Sequence, residues 1–183
     1  WLHHSMAPKP PAPLDDLRIT IGHGPQAYCA SLLNISAMSY GAISANAIRA
    51  LNKGAKAGGF FHDTGEGGVS PYHCEYGGDL VWELGSGYFG ARGENGGFSA
   101  EKFAQTAANP QIKMIELKLS QGAKPGHGGV LPAAKVSAEI AAIRGIAMGQ
   151  DCVSPAHHSA FATPVGLLEF IAEMRDLSGG KPT

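Results

Sequence analysis

The sequence predicts an α/β fold with parallel strands. Short apolar strands alternate with amphipathic helices, and the links after the strands are rich in glycine. The strand–loop–helix unit recurs about four times along the chain. Such a chain builds a doubly wound sheet or part of a (β/α)8 barrel. Four units are about half of a barrel of roughly 250 residues.

Each element has its own signal. Residues 33–39 (LNISAMS) read as the first strand. Residues 44–56 read as a helix: Ser44 caps it, Ile48, Leu51 and Ala55 recur at helical spacing, and Gly58-Gly59 ends it. Residues 60–63 are the next strand, running into Thr64-Gly65-Glu66-Gly67-Gly68. Residues 80–84 form a short strand and lead into the glycine-rich stretch 85–97. Residues 99–108 are a helix with Ser99 and Lys102 at the capping-box positions, Lys standing where the acid would be. Residues 112–119 are a strand. Residues 132–143 are a helix that Pro132 opens, with Val136, Ile140 and Ile143 as its stripe. Residues 151–154 are a further strand. Residues 163–177 are the clearest helix, with Leu167, Leu168, Ile171 and Met174 on one side.

Composition narrows the function. The 183 residues carry a net charge of −1, so no basic excess points to nucleic acid. Hydrophobic residues make up 44%, enough for a core. Charged residues are only 16%, against about 25% in an ordinary soluble domain. No apolar run approaches the roughly 20 residues of a membrane helix. Residues 1–31 read as an extended arm or linker, proline-rich in PKPPAP, and residues 32–183 as the folded domain. The start at Trp1 and the loop-like end Ser178-Gly179-Gly180-Lys181-Pro182-Thr183 read as an interior segment of a longer protein. Cys29, Cys74 and Cys152 form no CxxC, which fits a reducing, cytoplasmic compartment and buried small thiols. A membrane anchor upstream of Trp1 is left open.

The chemistry gathers where strands meet glycine loops. In the strand 112–119, Ile115, Leu117 and Leu119 share the face that packs under helices. Met114, Glu116, Lys118 and Ser120 share the other. A lysine there needs a partner, and Glu116 is the nearest acid in sequence. Lys118 also lies near the C-terminal end of its strand, where barrel active sites are built. Six residues on, Lys124 sits in GAKPGHGG, whose glycines let backbone amides approach an anion. The two lysines suit a carboxylate, a phosphate or an electron-rich ring. Ser36-Ala37-Met38-Ser39-Tyr40-Gly41 could lie against a flat apolar ring or be ordinary core. His127 is a weaker candidate for substrate contact. His73 beside Cys74, and His157 and His158 after Cys152, match no zinc spacing, so no metal site is predicted. GxGxxG, the P-loop, HExxH and GxSxG are all absent.

The segments SAMSYGAIS, DTGEGG, GSGYFG, IELKLSQGAKPGHGG and LPAAKVSAEIAAIRG resemble, in order and spacing, the FMN-binding domain of the glutamate synthase family. The likeness is nearest to short stand-alone members that lack the glutaminase domain. It covers about residues 32–183. The resemblance implies an FMN-containing (β/α)8 barrel, of which this chain would be about the N-terminal half. It implies that ammonia and 2-oxoglutarate give 2-iminoglutarate, which is reduced to L-glutamate. It implies Lys118 and Lys124 as catalytic, and Met38, Ser39, Thr64, Gly65, Glu66, Lys118 and Gln121 at the flavin. It implies Lys124 and Arg144 on the substrate. Ferredoxin or a reductase subunit would donate electrons, and an iron–sulfur cluster would have its ligands outside this segment. Three positions depart from the pattern: Asp63 stands for Asn, Val69 for Glu and Val130 for Gln. The two valines motivate one alternative, a flavin barrel acting on another oxo or imino acid. A barrel that binds a metabolite without redox chemistry is the other.

Overall fold

Leu80–Leu84 is buried along its whole length, on both faces, as a central strand of a covered parallel sheet must be. The structure, a computed structural model, describes residues 3–13, 17–121 and 126–183. Its elements run β1 (Arg18–Ile21), β2 (Tyr28–Ser31), α1 (Ala45–Gly58), β3 (His62–Asp63), α2 (Pro71–Cys74), β4 (Leu80–Leu84), α3 (Ala100–Ala107), β5 (Ile112–Leu117), β6 (Val130–Leu131), α4 (Ala138–Arg144), β7 (Cys152–Val153) and α5 (Pro164–Leu177). The chain is α/β. β3, β4 and β5 form a parallel sheet in that order. At one edge Ile35 makes a parallel bridge to His62, and the Met38 amide donates to the Asp63 carbonyl at 3.1 Å. At the other edge the Ile115 amide donates to the Pro182 carbonyl at 2.9 Å.

The pairing slips once, between Leu80↔Ile112 and Val81↔Met114, which leaves Lys113 as the extra residue. Beyond that bulge, Trp82 and Leu84 align with Ile115 and Leu117 and face the helices. Val81 and Glu83 align with Met114 and Glu116 on the opposite face. Trp82 stacks on Phe103 of α3 at 5.1 Å, and Phe98 meets Phe170 of α5 edge-on at 4.8 Å. Truncating one of these rings to alanine costs about 3–5 kcal/mol.

Helix starts follow the sequence closely. Ser44, Ser99, Ser137 and Thr163 each accept a hydrogen bond from the amide three residues on. α1 ends at Gly59, whose φ of 64° is the left-handed cap. Lys102 cannot complete a capping box, and its ammonium bonds the Arg92 carbonyl instead.

Four readings need correction. Residues 33–39 make a single bridge at Ile35 rather than a full strand. Pro132 opens only the 3-10 turn Ala133–Lys135, and α4 starts after Ser137, which supplies the cap that proline lacks. On α5, Leu168 is exposed and Phe170 fills the core position. Cys152–Val153 does not join the parallel sheet. It pairs antiparallel with Val130–Leu131, so β6, α4 and β7 form an excursion between β5 and α5. Its small core is Val136, Ile140, Ala141 and Cys152 packed on Phe89. In addition, the stretch read as an arm contains a hairpin: β1 and β2 pair antiparallel from Arg18↔Ser31 to Ile21↔Tyr28. Arg18 holds the hairpin to the Gly59 carbonyl at 2.8 Å. No helix among the described residues is long and apolar enough to cross a membrane.

His62, on β3, is fully buried 5.2 Å from the His73 ring, and neither of its ring nitrogens has a partner among the described residues. Burial, and then His73, pulls its pKa down from 6.5 to about 4. Between those values the unfolded chain takes up a proton that the folded chain refuses. The stability tied to His62 is therefore complete above about pH 6.5 and falls as pH drops toward 4, by up to about 3 kcal/mol. The His62→Leu variant should show a flatter melting temperature between pH 7 and pH 4.5 than the parent protein. Equal slopes would assign the acid sensitivity elsewhere.

Candidate active site

Lys118 follows β5 directly, and its amide donates to the Leu84 carbonyl at 3.1 Å. That bond carries the sheet one step past Leu117 and brings the ammonium level with the end of β4. Its partners are Glu83 Oε1 at 3.2 Å and Glu66 Oε2 at 3.8 Å. Glu116, the partner expected from sequence, makes neither an ion pair nor a hydrogen bond with it. Glu116 lies lower on the sheet, beside Glu83 and Asp63, and the three carboxylates come within 4.8 Å of one another. Burial works against the Lys118 charge, but Glu66 and Glu83 outweigh it and the pKa is raised. The pair is unequal. Burial raises the pKa of Glu83 as well, aided by Glu116 and Glu66, and Lys118 only partly offsets this.

Glu66 is the hinge between two groups of residues. Its other partner is Gln121, whose amide nitrogen lies 3.0 and 2.8 Å from the two carboxylate oxygens. Glycines make room for this carboxylate. A Cβ on Gly129 would stand 2.7 Å from Glu66 Oε1, and one on Gly85 2.9 Å from Oε2. Beyond Glu66 lies a cavity of about 200 Å³ bordered by Ser39, Gln121, Val130, Arg144, Cys152 and Ser154. It opens at the C-terminal ends of β3 and β5, the side on which parallel α/β folds bind ligands.

Arg144 closes the far wall. The α4 helix delivers it, and it is 7% exposed. One of its NH2 groups donates to the Tyr40 carbonyl at 3.3 Å and the other to Cys152 Sγ at 3.6 Å, while Nε has no partner. The guanidinium lies 5.1 Å from the Phe89 ring centre. Tyr40 ties the other end of α4 as well: its hydroxyl donates to Glu139 at 2.5 Å, and Tyr72 donates to the second Glu139 oxygen at 2.6 Å. These bonds pull the Glu139 pKa down and push the tyrosine pKa values up.

Two histidines hold backbone carbonyls. A carbonyl only accepts, so His73 Nε2 donates to the Met38 carbonyl at 3.0 Å, leaving Nδ1 to accept from the Ser70 amide. His158 Nε2 likewise donates to the Lys118 carbonyl at 2.7 Å. Burial lowers both pKa values, with the carbonyl bonds opposing it, and the neutral form is the one His73 needs for Nδ1 to accept. Tyr88, at φ 52°, is the one non-glycine residue in the left-handed region among the described residues. Its ring meets His158 edge-on, and its hydroxyl accepts from the Ala160 amide.

Of the residues singled out from sequence, Ser39, Glu66, Gln121 and Arg144 share the cavity and Lys118 adjoins it. Gly65 permits the contact of two loops: a Cβ there would lie 2.3 Å from Ser39 Oγ. Met38 is held through its backbone. Thr64 is buried, and its hydroxyl accepts from the Glu83 amide, stitching β3 to β4. His127 borders the cleft by Lys118. Lys124 lies outside the described residues. Sequence reading missed Glu83, though a lone acid in an apolar strand carries the same signal that singled out Lys118. Tyr40, Glu139, His73 and His158 have no such signal, because their partners are distant in sequence.

Asp63 is 2% exposed, and burial raises its pKa from 3.8 to about 8, with Glu83 and Glu116 adding to the effect and the Gly65 amide opposing it. At neutral pH the side chain holds its proton. The folded state therefore loses stability as pH rises from about 4 toward 8. The Asp63→Asn variant should raise the melting temperature at pH 8, a gain of about 1 kcal/mol or more, with the gain shrinking by pH 5. A loss of equal size at both pH values would show that the acid itself is required.

The family model for the conserved region in glutamate synthase matches residues 18–183. The glutamate synthase large subunit-like protein YerD of Bacillus subtilis is 46% identical over 156 residues, 85% of this chain and 29% of its own length. The archaeal glutamate synthase [NADPH] of Methanocaldococcus jannaschii is 36% identical over 147 residues, 80% of this chain and 26% of its own. A glutamate synthase large subunit-like protein of Rhizobium meliloti is 33% identical over 147 residues, 80% of this chain and 30% of its own. The chain thus spans less than a third of the length of these relatives. With a family match that begins at the first strand of the hairpin and runs to Thr183, the chain belongs to the glutamate synthase family.

Proposed function

We propose that the protein containing this chain is an FMN-dependent oxidoreductase of the glutamate synthase type, and that residues 32–183 are the first part of its (β/α)8 barrel. The strand order supports the barrel. Ile35, β3, β4, β5 and Pro182 pair side by side in chain order, with no reversal of the kind a doubly wound sheet requires. The hairpin would sit under the sheet, where Ile21 borders a cavity with Phe61, Val81 and Met114.

One observation carries the activity: a buried arginine, a glutamate–glutamine pair and a strand-end lysine converge on one cavity at the C-terminal side of the sheet. The residues present fit a flavin. Gly65, Gly85 and Gly129 stand where a side chain would collide with Ser39 or Glu66, so backbone comes close to the site, and Lys118 supplies a cation. FMN, when bound, supplies the hydride. Met38, Ser39, Thr64, Gly65, Glu66 and Gln121 would hold it, with Lys118 at its edge. Arg144 would bind a carboxylate of the oxo acid through paired N–H donors, and Lys124 would add a second cation. Ammonia would condense with the bound 2-oxo acid. Electrons would come from ferredoxin or a reductase subunit. An iron–sulfur cluster would lie elsewhere in the protein, and a cytoplasmic location would suit the three unpaired thiols.

A second reading rests on Val130. It is 54% exposed and lines the cavity beside Leu131, so this wall is apolar. An oxo acid with a less polar tail than 2-oxoglutarate would fit that wall better. A non-redox binding barrel is the third reading.

The purified full-length protein should absorb near the usual flavin region, about 450 nm, and release FMN on denaturation. A colourless protein that FMN does not reconstitute would leave the non-redox reading. In a flavin-loaded protein, Arg144→Gln should keep the flavin and raise KM for the oxo acid by roughly 100-fold, the loss of one charge-assisted contact pair. An unchanged KM would remove Arg144 from the substrate.

A further inference from the structure

We infer that the Cys152 thiol is a covalent modification site for small carboxylates that carry an electrophilic carbon, and that Arg144 recruits them. Cys152 is 4% exposed, and it borders the same cavity as Arg144, Ser39 and Val130. The sulfur accepts a hydrogen bond from the guanidinium at 3.6 Å.

Arg144 is an independent pointer to an anion. More than nine-tenths of it is buried, yet its partners among the described residues are the neutral Tyr40 carbonyl and the Cys152 thiol. Nε has no partner among the described residues. Glu66 faces the cavity too, but its oxygens are occupied by Gln121 and Lys118. A buried cation facing neutral groups is costly, and a carboxylate in the cavity relieves that cost. The carboxylate would bond the same guanidinium edge that now meets the sulfur. That places the carbons next to the carboxylate beside Sγ, where a near-attack arrangement needs a separation of about 3–3.5 Å.

The reaction needs no oxidant. With a 2-halocarboxylate, an S–C bond forms, the C–halogen bond breaks, halide leaves and the thiol proton goes to water. With a 2,3-unsaturated carboxylate, sulfur adds to C3 and the thiol proton ends on C2. The adduct would fill the cavity and block Arg144.

Cys29 is exposed and serves as the reference thiol in the same molecule. The full-length protein is treated with iodoacetate or with iodoacetamide, and adducts are located by peptide mass spectrometry. The ratio of iodoacetate to iodoacetamide labelling should be at least tenfold higher at Cys152 than at Cys29. Arg144→Gln should bring the two ratios together, and Arg144→Lys should restore part of the difference. Should Arg144→Gln fail to fold, excess unreactive propionate should slow carboxymethylation at Cys152 and not at Cys29 in the unsubstituted protein. Equal ratios at the two cysteines, or no labelling at Cys152 while Cys29 reacts, would overturn the inference. The outcome does not depend on flavin: selective labelling of a colourless protein would keep this site and defeat the redox reading.

Discussion

One partly buried charge organises this end of the molecule: the Lys118 ammonium, held between Glu83 and Glu66. The Glu83 side chain is 2% exposed, so a charge there has almost no water to rely on. Breaking such a pair by removing one partner costs about 3–5 kcal/mol. The constraint then spreads. Glu83 is fixed by β4 and Lys118 by its bond to Leu84, so Glu66 must come to them, and the Thr64–Gly68 loop with it. Glu66 in turn positions Gln121. Asp63, a few ångströms away, has no cation left to pair with and stays protonated.

Around this centre the positioning groups act on backbone. His73 donates to the Met38 carbonyl and His158 to the Lys118 carbonyl. Tyr40 is used twice, by its carbonyl for Arg144 and by its hydroxyl for Glu139. Loops longer than about 12–15 residues are usually functional or disordered. Residues 126–161 of the excursion after β5 form a wall that carries Arg144 to the cavity. Its two-residue ribbon, the Phe89 platform and the bond from Ser86 to the Pro155 carbonyl fasten it across the mouth of the sheet.

Local signals were legible in the sequence. The caps Ser44 and Ser99, the terminator Gly59, the start of the last helix and β4 are legible to within a residue or two, because each depends on near neighbours. Lys118 stands out from strand alternation alone, whereas Gln121 and Arg144 are reached only through the resemblance to a family; with Glu66, the structure brings these residues to adjoining clefts. The partner of Lys118 was misread because strand periodicity reports which face a residue occupies, not how far up the sheet its neighbour strand has slid. The bulge at Lys113 and the extra pairing at Leu84 set that register. The strand 151–154 was misassigned for a related reason: an apolar dipeptide beside a turn looks the same in a parallel sheet and in an antiparallel ribbon.

The departures from the family pattern fall into two kinds, and their surroundings separate them. Asp63 replaces an amide with an acid, yet burial keeps it neutral, and it still accepts the Gly65 amide at 2.8 Å as an Asn oxygen would. That change preserves the hydrogen bond that shapes the loop. Val69 packs against the core cluster of Trp82, Phe103 and Phe170, while Val130 faces the cavity. Neither valine can accept or donate a side-chain hydrogen bond, so these two changes remove polar function outright. The Lys118–Glu66–Glu83 group is untouched by these changes, and of the two valines only Val130 lines the cavity, on the wall it shares with Leu131 and Arg144. Under the proposed function, a site that keeps its buried cation and changes only the wall beside it would still select for an anion. What it would select differently is the part of the ligand that touches Val130.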